Sequence, residues 1–265
     1  MREREMKKIL SFLLVISLIG LGAYKKPKQG GKENIKERFA HGEELKYSLK
    51  YGPIHGGDAK LTLHLIEYEK RKAFHARVHA KSVGITDKLF KVEDIYESFF
   101  DPETCLPYKA IRNISEGGYK FYNEVFFYHT DSILYSQKSG EYEIPPDILD
   151  VVSSLYYLRR MNLDTLVKGD VIPIITFFGD EIFPFPLRYK GKEIVKTKLG
   201  KFSCYRFDPV VEVGRIFESE DDMTMWISAD QNMIPIRVRF DMIVGAVLCD
   251  LSEYKGLSSE LKSQE

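Results

Sequence analysis

Two histidines four residues apart, His75 and His79, come closest to a metal-binding pair in this chain, because residues at that spacing share one face of a strand. Arg77 stands between them on the same face, and a fixed cation there opposes a metal ion. No Asp, Glu or Cys lies beside them in the sequence to complete a ligand shell. His64, on the polar face of a neighbouring strand, is the remaining candidate to join them. The residues therefore read as surface histidines, and no metal site is assigned.

Carboxylates are abundant: Glu93-Asp94, Glu97, Asp101, Asp180-Glu181 and Asp250. A sugar-cleaving hydrolase needs two of them across a cleft, so a hydrolase acting on envelope polysaccharide is one reading. Glu93, Glu97 and Asp101 share a strand with Ile95 and Phe99, which describes a solvated face more economically. The acidic run Glu218-Ser219-Glu220-Asp221-Asp222 offers oxygen ligands but lacks the glycine turn and ordered alternation of a calcium loop, and reads as a hairpin turn. Ser153-Ser154 lack the strand-Gly-x-Ser-x-Gly-helix setting of an exposed nucleophile. Gly30-Gly31 and Gly117-Gly118 precede no helix and are not phosphate cradles. Cys105, Cys204 and Cys249 are too few and too scattered for a disulfide framework or a zinc motif; one bridge plus a free thiol and three small buried apolar residues are both open. No catalytic residue and no cofactor follow from these patterns.

The elements that must carry these residues are mostly strands. Leu45, Tyr47, Leu49 and Tyr51 alternate with Glu44, Lys46, Ser48 and Lys50, which predicts a half-buried antiparallel strand. The same period returns at Ala59-Leu61-Leu63-Leu65 and at Phe74-Ala76-Val78-Ala80. Turns fall at Gly52-Pro53, Gly56-Gly57 and Glu69-Lys70-Arg71-Lys72. Further strands are expected over residues 91–100, 107–115, 119–128, 132–136, 171–178, 183–189, 193–198, 202–209, 223–228, 234–242 and 244–252.

In the strand over 119–128, Tyr119, Phe121, Val125 and Phe127 lie on one face and Tyr122, Phe126 and Tyr128 on the other, so both faces are expected to need cover. Ile148, Val151, Val152, Leu155 and Leu158 recur at helical spacing instead. A helix over 147–160 is expected, capped by Asp147, with Arg159-Arg160 at its negative end. The fold class is thus mainly β: a curved antiparallel meander, a barrel or half-barrel of about a dozen strands, with one substantial helix packed on it.

The ends of the chain set its address. Residues 1–8 are charged and run into an apolar stretch over 9–23, roughly 15 residues long and short of the roughly 20 that span a bilayer. Residues 1–23 read as a cleaved signal peptide, with Gly20 and Gly22 or Ala23 at the cut. No cysteine lies at that junction to carry a lipid, so no stable membrane anchor is expected after cleavage. Residues 24–38 read as a flexible linker, 39–254 as a single β-rich domain and 255–265 as a polar tail. Lys+Arg and Asp+Glu both number 39, so no net charge points to nucleic acid. Export to the periplasm or cell envelope of a Gram-negative bacterium places the chain away from ATP and nicotinamide pools.

Phe39-Ala40-His41-Gly42-Glu43-Glu44-Leu45-Lys46-Tyr47, the helix region 147–159, Gly191-Lys192-Glu193, Gly200-Lys201-Phe202-Ser203-Cys204, Trp226-Ile227-Ser228-Ala229-Asp230, Ile234-Pro235 and Gly245 before Leu251 occur in an order that resembles a bacterial exported family, domain of unknown function 3108. The resemblance covers nearly the whole mature domain and brings no reaction, so no catalytic residue is carried over. A looser architectural likeness is to periplasmic lipoprotein carriers of the LolA and LolB type, which implies a curved sheet around an apolar cavity. The expected function is an exported envelope protein without a catalytic site that binds an apolar or amphipathic ligand, such as a lipid, or an envelope protein partner. A structural role in envelope assembly is the third reading.

Overall fold

The computed structural model describes residues 38–210, 223–242 and 245–264. The stretch expected as a signal peptide, most of the expected linker with Gly30-Gly31, and the acidic run at 218–222 lie outside the described residues.

The alternating residues of the first half become a strict meander: β1 (Glu44–Tyr51), β2 (Ile54–Tyr68), β3 (Arg71–Ser82), β4 (Val92–Phe100), β5 (Pro107–Glu116), β6 (Tyr119–Tyr128), β7 (Ile133–Ser136) and β8 (Gly140–Glu143). Each pairs antiparallel with the next. A short helix, α1 (Gly84–Leu89), joins β3 to β4, and α2 (Val151–Arg160) follows the meander. The second half contributes β9 (Val171–Ile172), the hairpin β10 (Ile175–Phe178) and β11 (Glu181–Pro184), then β12 (Leu187–Thr197), β13 (Gly200–Pro209), β14 (Met223–Ser228), β15 (Pro235–Asp241) and β16 (Ala246–Lys255). β16 returns to pair with β1 and welds the halves into one 14-stranded sheet, ordered β8-β7-β6-β5-β4-β3-β2-β1-β16-β15-β14-β13-β12-β9. The terminal strands β8 and β9 do not pair with each other, so the sheet is open, the half-barrel form of the expectation.

One face of this sheet is covered by α2 and the β10–β11 hairpin. Tyr156 and Val152 of α2 pack among Leu45, Leu63, Phe74, Phe100 and Ile114. Burial of each large apolar side chain contributes about 1.5–3 kcal/mol, and this shared surface fixes the helix in the trough. A second core lies under β12–β14 around Phe207, Ile227 and Leu187. A third joins Val125, Phe127 and Leu134 to Phe177 of the hairpin.

Several expectations are corrected. The helix begins at Val151 rather than at 147, and its cap is Asp150, whose side chain accepts from the Val152 and Ser153 amides while Ser153 Oγ accepts from the Asp150 amide. Asp147 has φ 67°, and Leu149 is extended, exchanging backbone hydrogen bonds with Ile175 and Phe177. Gly56-Gly57 is not a turn but lies within β2, where the register slips. Gly57 is required there because a Cβ would meet the Lys81 carbonyl oxygen at 2.9 Å.

Pro173, Pro184 and Pro186 lack amide donors, and the strands expected over 171–178 and 183–189 are broken at them. Conversely, residues 187–197 form one strand with a bulge between Tyr189 and Gly191. β6 has only one covered face: Asn123, Val125 and Phe127 are buried, Tyr122 and Tyr128 are exposed, and Phe126 lies under the Lys109 ammonium. The tail beyond 254 is docked rather than free, with Leu261 buried, Ser259 bonded to Asn232 and Gln264 paired with Lys201.

Candidate functional site

The histidines expected on the surface sit on the uncovered face. β2:β3 pairing sets His64 opposite His75, and β3:β4 pairing sets His75 opposite Phe99 and Arg77 opposite Glu97. His75 Nε2 lies 2.6 Å from Glu97 Oε2, and its ring stacks on Phe99 at 4.3 Å. His79 Nε2 lies 3.3 Å from Glu93 Oε1. The acidic neighbours that local sequence did not supply thus come from the next strand. Arg77 still separates the two histidines, and among the described residues no group of three or more His, Cys, Asp or Glu is placed to hold a metal ion.

The carboxylates are dispersed. Glu93 and Glu97 belong to the histidine pairs on the outer face, whereas Asp94 points to the covered face and is fully buried. Its Oδ1 accepts from the Ser115 amide, and burial raises its pKa. Asp250 is held by Arg237 at 2.5 and 2.9 Å. Asp101 caps its own turn through the Glu103 and Thr104 amides. Ser153 and Ser154 serve the helix backbone, through the capping box and a 2.8 Å bond to the Val151 carbonyl. All three cysteines are free; Cys105 and Cys204 are buried, and burial pushes both thiols up to about 12.

What the fold does bring together is a cleft where the start of α2, the turn of the β10–β11 hairpin and strands β4–β6 meet. It encloses about 30 Å³, room for one or two waters, and widens into about 400 Å³ that merges with solvent. Its apolar walls include Tyr96, Val125, Val152, Phe177 and Phe178.

Its polar groups are positioned by three local devices. The register β4:β5:β6 aligns Tyr96, Arg112 and Asn123 across the covered face. The hairpin turn Gly179-Asp180 has both residues at positive φ, 64° and 62°, the conformation of a two-residue turn that matches strand twist. That turn delivers Asp180 Oδ1 to Asn123 Nδ2 at 2.8 Å, Ser136 Oγ at 2.9 Å and Ser139 Oγ at 3.0 Å. Tyr142 Oη donates to the Asp180 carbonyl at 2.9 Å. Finally, the Asp150 cap is tied to the sheet by Ser98 Oγ at 2.5 Å, and its pKa is raised by burial.

Arg112 meets two rings, with its guanidinium carbon 4.3 Å from the Phe178 centroid and 4.9 Å from that of Phe121. Its Nε is shielded from solvent and has no hydrogen-bond acceptor. Sequence reading missed Arg112 altogether. A lone Arg in a strand carries no local signal, and both rings come from other elements.

Fold and site define a class: an open antiparallel β half-barrel, filled along its trough by one helix, with a small cleft at its lip. The chain belongs to the family described as protein of unknown function (DUF3108), whose model matches residues 46–252. Its fold is similar to that of a β-barrel-like protein of domain of unknown function DUF1849 from Brucella abortus, with a TM-score of 0.54 at 7% identity over 82% of this chain and 98% of that one. A DUF1089 family protein from Pseudomonas aeruginosa aligns at a TM-score of 0.40 and 12% identity, over 77% of this chain and 92% of that one. No curated protein matches the chain.

Proposed function

We propose that this chain is an exported, non-catalytic binding domain of the bacterial cell envelope that takes one end of an apolar or amphipathic ligand into the cleft between the β10–β11 hairpin and the sheet. The single observation that carries this reading is the cleft itself: apolar walls with a few polar groups among them and an opening to solvent are the usual composition of a small-ligand site. Helix α2 occupies the trough that a carrier of the LolA and LolB type would use for acyl chains. The remainder of a long ligand therefore lies along the lip, where Val151 of α2 is exposed. The charged head and apolar stretch of residues 1–23 support the address.

The test is native mass spectrometry of protein gently purified from the envelope, combined with titration of an environment-sensitive apolar dye. A bound apolar guest, or dye binding that is abolished by Ala110→Trp in the cleft wall, supports the reading. Absence of both discards it. N-terminal sequencing of the exported protein is expected to begin after Gly22 or Ala23.

A second reading, a protein partner, draws on the uncovered face of β6 and β7, where Tyr122, Tyr128 and Tyr135 are each more than two-fifths exposed. Cross-linking in the native envelope that is lost when all three are replaced by Ser, with dye binding intact, would favour it.

A further inference from the structure

We propose that the inner end of the cleft recognises a carboxylate, so that the preferred ligand is an amphiphile with an anionic carboxyl head and an apolar chain. This rests on the ligand-binding reading of the same cleft and adds the chemistry of the head group.

The argument starts from Arg112. A guanidinium presents five N–H donors in one plane and stays charged at any pH a protein survives. In this chain the rings of Phe121 and Phe178 lie 4.9 and 4.3 Å from its guanidinium carbon, and its hydrogen bonds run along the edge of the guanidinium plane. Along that edge, Tyr96 already makes one side-chain hydrogen bond with the guanidinium, while Nε is shielded from water without an acceptor. A buried donor left unmatched costs about 1–3 kcal/mol, more when charged, and this is the kind of defect a ligand repairs.

The acidic side chains that line the cleft, Asp150, Asp180 and Glu97, are already engaged. Asp150 receives the Val152 and Ser153 amides and Ser98 Oγ. Asp180 Oδ1 receives Asn123, Ser136 and Ser139. Glu97 is bonded to His75 on the other face of the sheet. Asp94, one rung along the covered face, lies in the electrostatic field of Arg112; its Oδ1 accepts from the Ser115 amide, its Oδ2 is buried without a partner, and burial favours its neutral form.

A planar carboxylate matches the planar guanidinium edge with two parallel hydrogen bonds, a geometry no hydroxyl or amine head can reproduce. The narrow space of about 30 Å³ favours a compact planar head over a bulky one. Phe177, Val125 and Val152 then receive the first methylenes, and the chain leaves through the mouth past Val151. Substituted heads with an acyl chain meet the same wall and bind less well. No covalent step is involved.

The decisive experiment is calorimetric titration of the mature full-length protein, freed of guest, with decanoate, decanol and decylamine at pH 8. Decanoate is expected to bind at least tenfold more tightly than decanol, with decylamine weakest. Arg112→Gln should remove the preference for decanoate while leaving decanol affinity within a factor of about two, and Arg112→Lys should retain part of it. In the wild-type complex, the carboxyl signal of decanoate labelled at C1 with carbon-13 should shift on binding and return when a cleft-filling Ala110→Trp variant is used. The ligand comparison on wild-type protein decides the matter even where a variant folds poorly.

Decanol binding as tightly as decanoate, or an Arg112→Gln protein that keeps the full preference, overturns the head-group assignment and leaves the apolar-ligand reading standing. Failure of all three probes to bind overturns both.

Discussion

The guanidinium of Arg159, in the last turn of α2, and the carboxylate of Glu43, at the threshold of β1, form a two-pronged ion pair at 2.6 and 2.7 Å with both side chains out of contact with solvent. The Asn232 carbonyl accepts from Nε and Nη2 of the same guanidinium, and the Arg38 carbonyl accepts from Nη2. The rings of Phe39 and Tyr156 flank it, each 5.2 Å from its centre. The pair therefore ties the helix, the first strand, the β14–β15 loop and the start of the described chain at one point. Breaking it strands a charge. Glu43→Ala or Arg159→Ala should each cost about 3–5 kcal/mol in urea unfolding, whereas the double change Glu43→Leu/Arg159→Met should recover much of that loss. Equal losses in the single and double variants would show that shape, rather than charge pairing, dominates.

Asp180 holds the hairpin over the cleft through three side-chain donors and one to its carbonyl. Asp180→Ala leaves Asn123 and Ser136, both buried, short of an acceptor, at about 1–3 kcal/mol. Hydrogen exchange should report the change locally, with the amides of Thr176 and Phe178 losing protection before those of β3 or β4. Uniformly faster exchange across the sheet would argue that the hairpin is not an independent flap.

Gly256 follows β16 at φ 66°, and a Cβ there would lie 2.3 Å from the Gly42 carbonyl oxygen. Gly256→Ala has to displace backbone, so a loss of about 2 kcal/mol or more is expected. Limited proteolysis should then cut within residues 257–264, a segment that Leu261 and Ser259 anchor in the wild type. Resistance of this variant to proteolysis would contradict the docking of the tail.

Asp94 makes the pH dependence informative. Burial raises its folded pKa above the ordinary 3.8, so the native state holds the proton more tightly than the unfolded state does. Stability from this group is therefore full below the ordinary value and falls as pH rises from there through the raised one. Asp94→Asn should flatten that descent, so the difference in melting temperature, variant minus wild type, should grow with pH above 4. A difference independent of pH would place the carboxyl's titration elsewhere.

Cys105 and Cys204 are buried with thiols raised to about 12, so neither holds a thiolate at neutral pH. Neither should react with an aromatic disulfide reagent at pH 8 within the native lifetime, and both should react at once in guanidinium. Rapid native labelling of either would require local opening of the sheet.

Much of this architecture was legible one strand at a time. The period of two through Leu45-Tyr47 and Ala76-Val78 and the helical spacing of Val152, Leu155 and Leu158 are local signals, and β1, β3 and α2 stand where they point. The helix start was misread because Ile148 fits a helical stripe as well as it fits its actual extended segment, and only the pairing of Leu149 with the hairpin separates the two. Aromatic residues on both faces of β6 suggested double cover, yet Tyr122 and Tyr128 reach solvent because their hydroxyls tolerate water.

By itself, then, the order of side chains determined the class of fold and the family, since alternation and turn chemistry act between neighbours. Only the tertiary structure decided what meets what. Glu97 reached His75, Arg159 reached Glu43 across 116 positions, and Phe178 came to cover Arg112 through strand register and helix docking. Such meetings depend on which of many compatible pairings buries the most apolar surface at once, a property of the whole chain that no short stretch of it encodes.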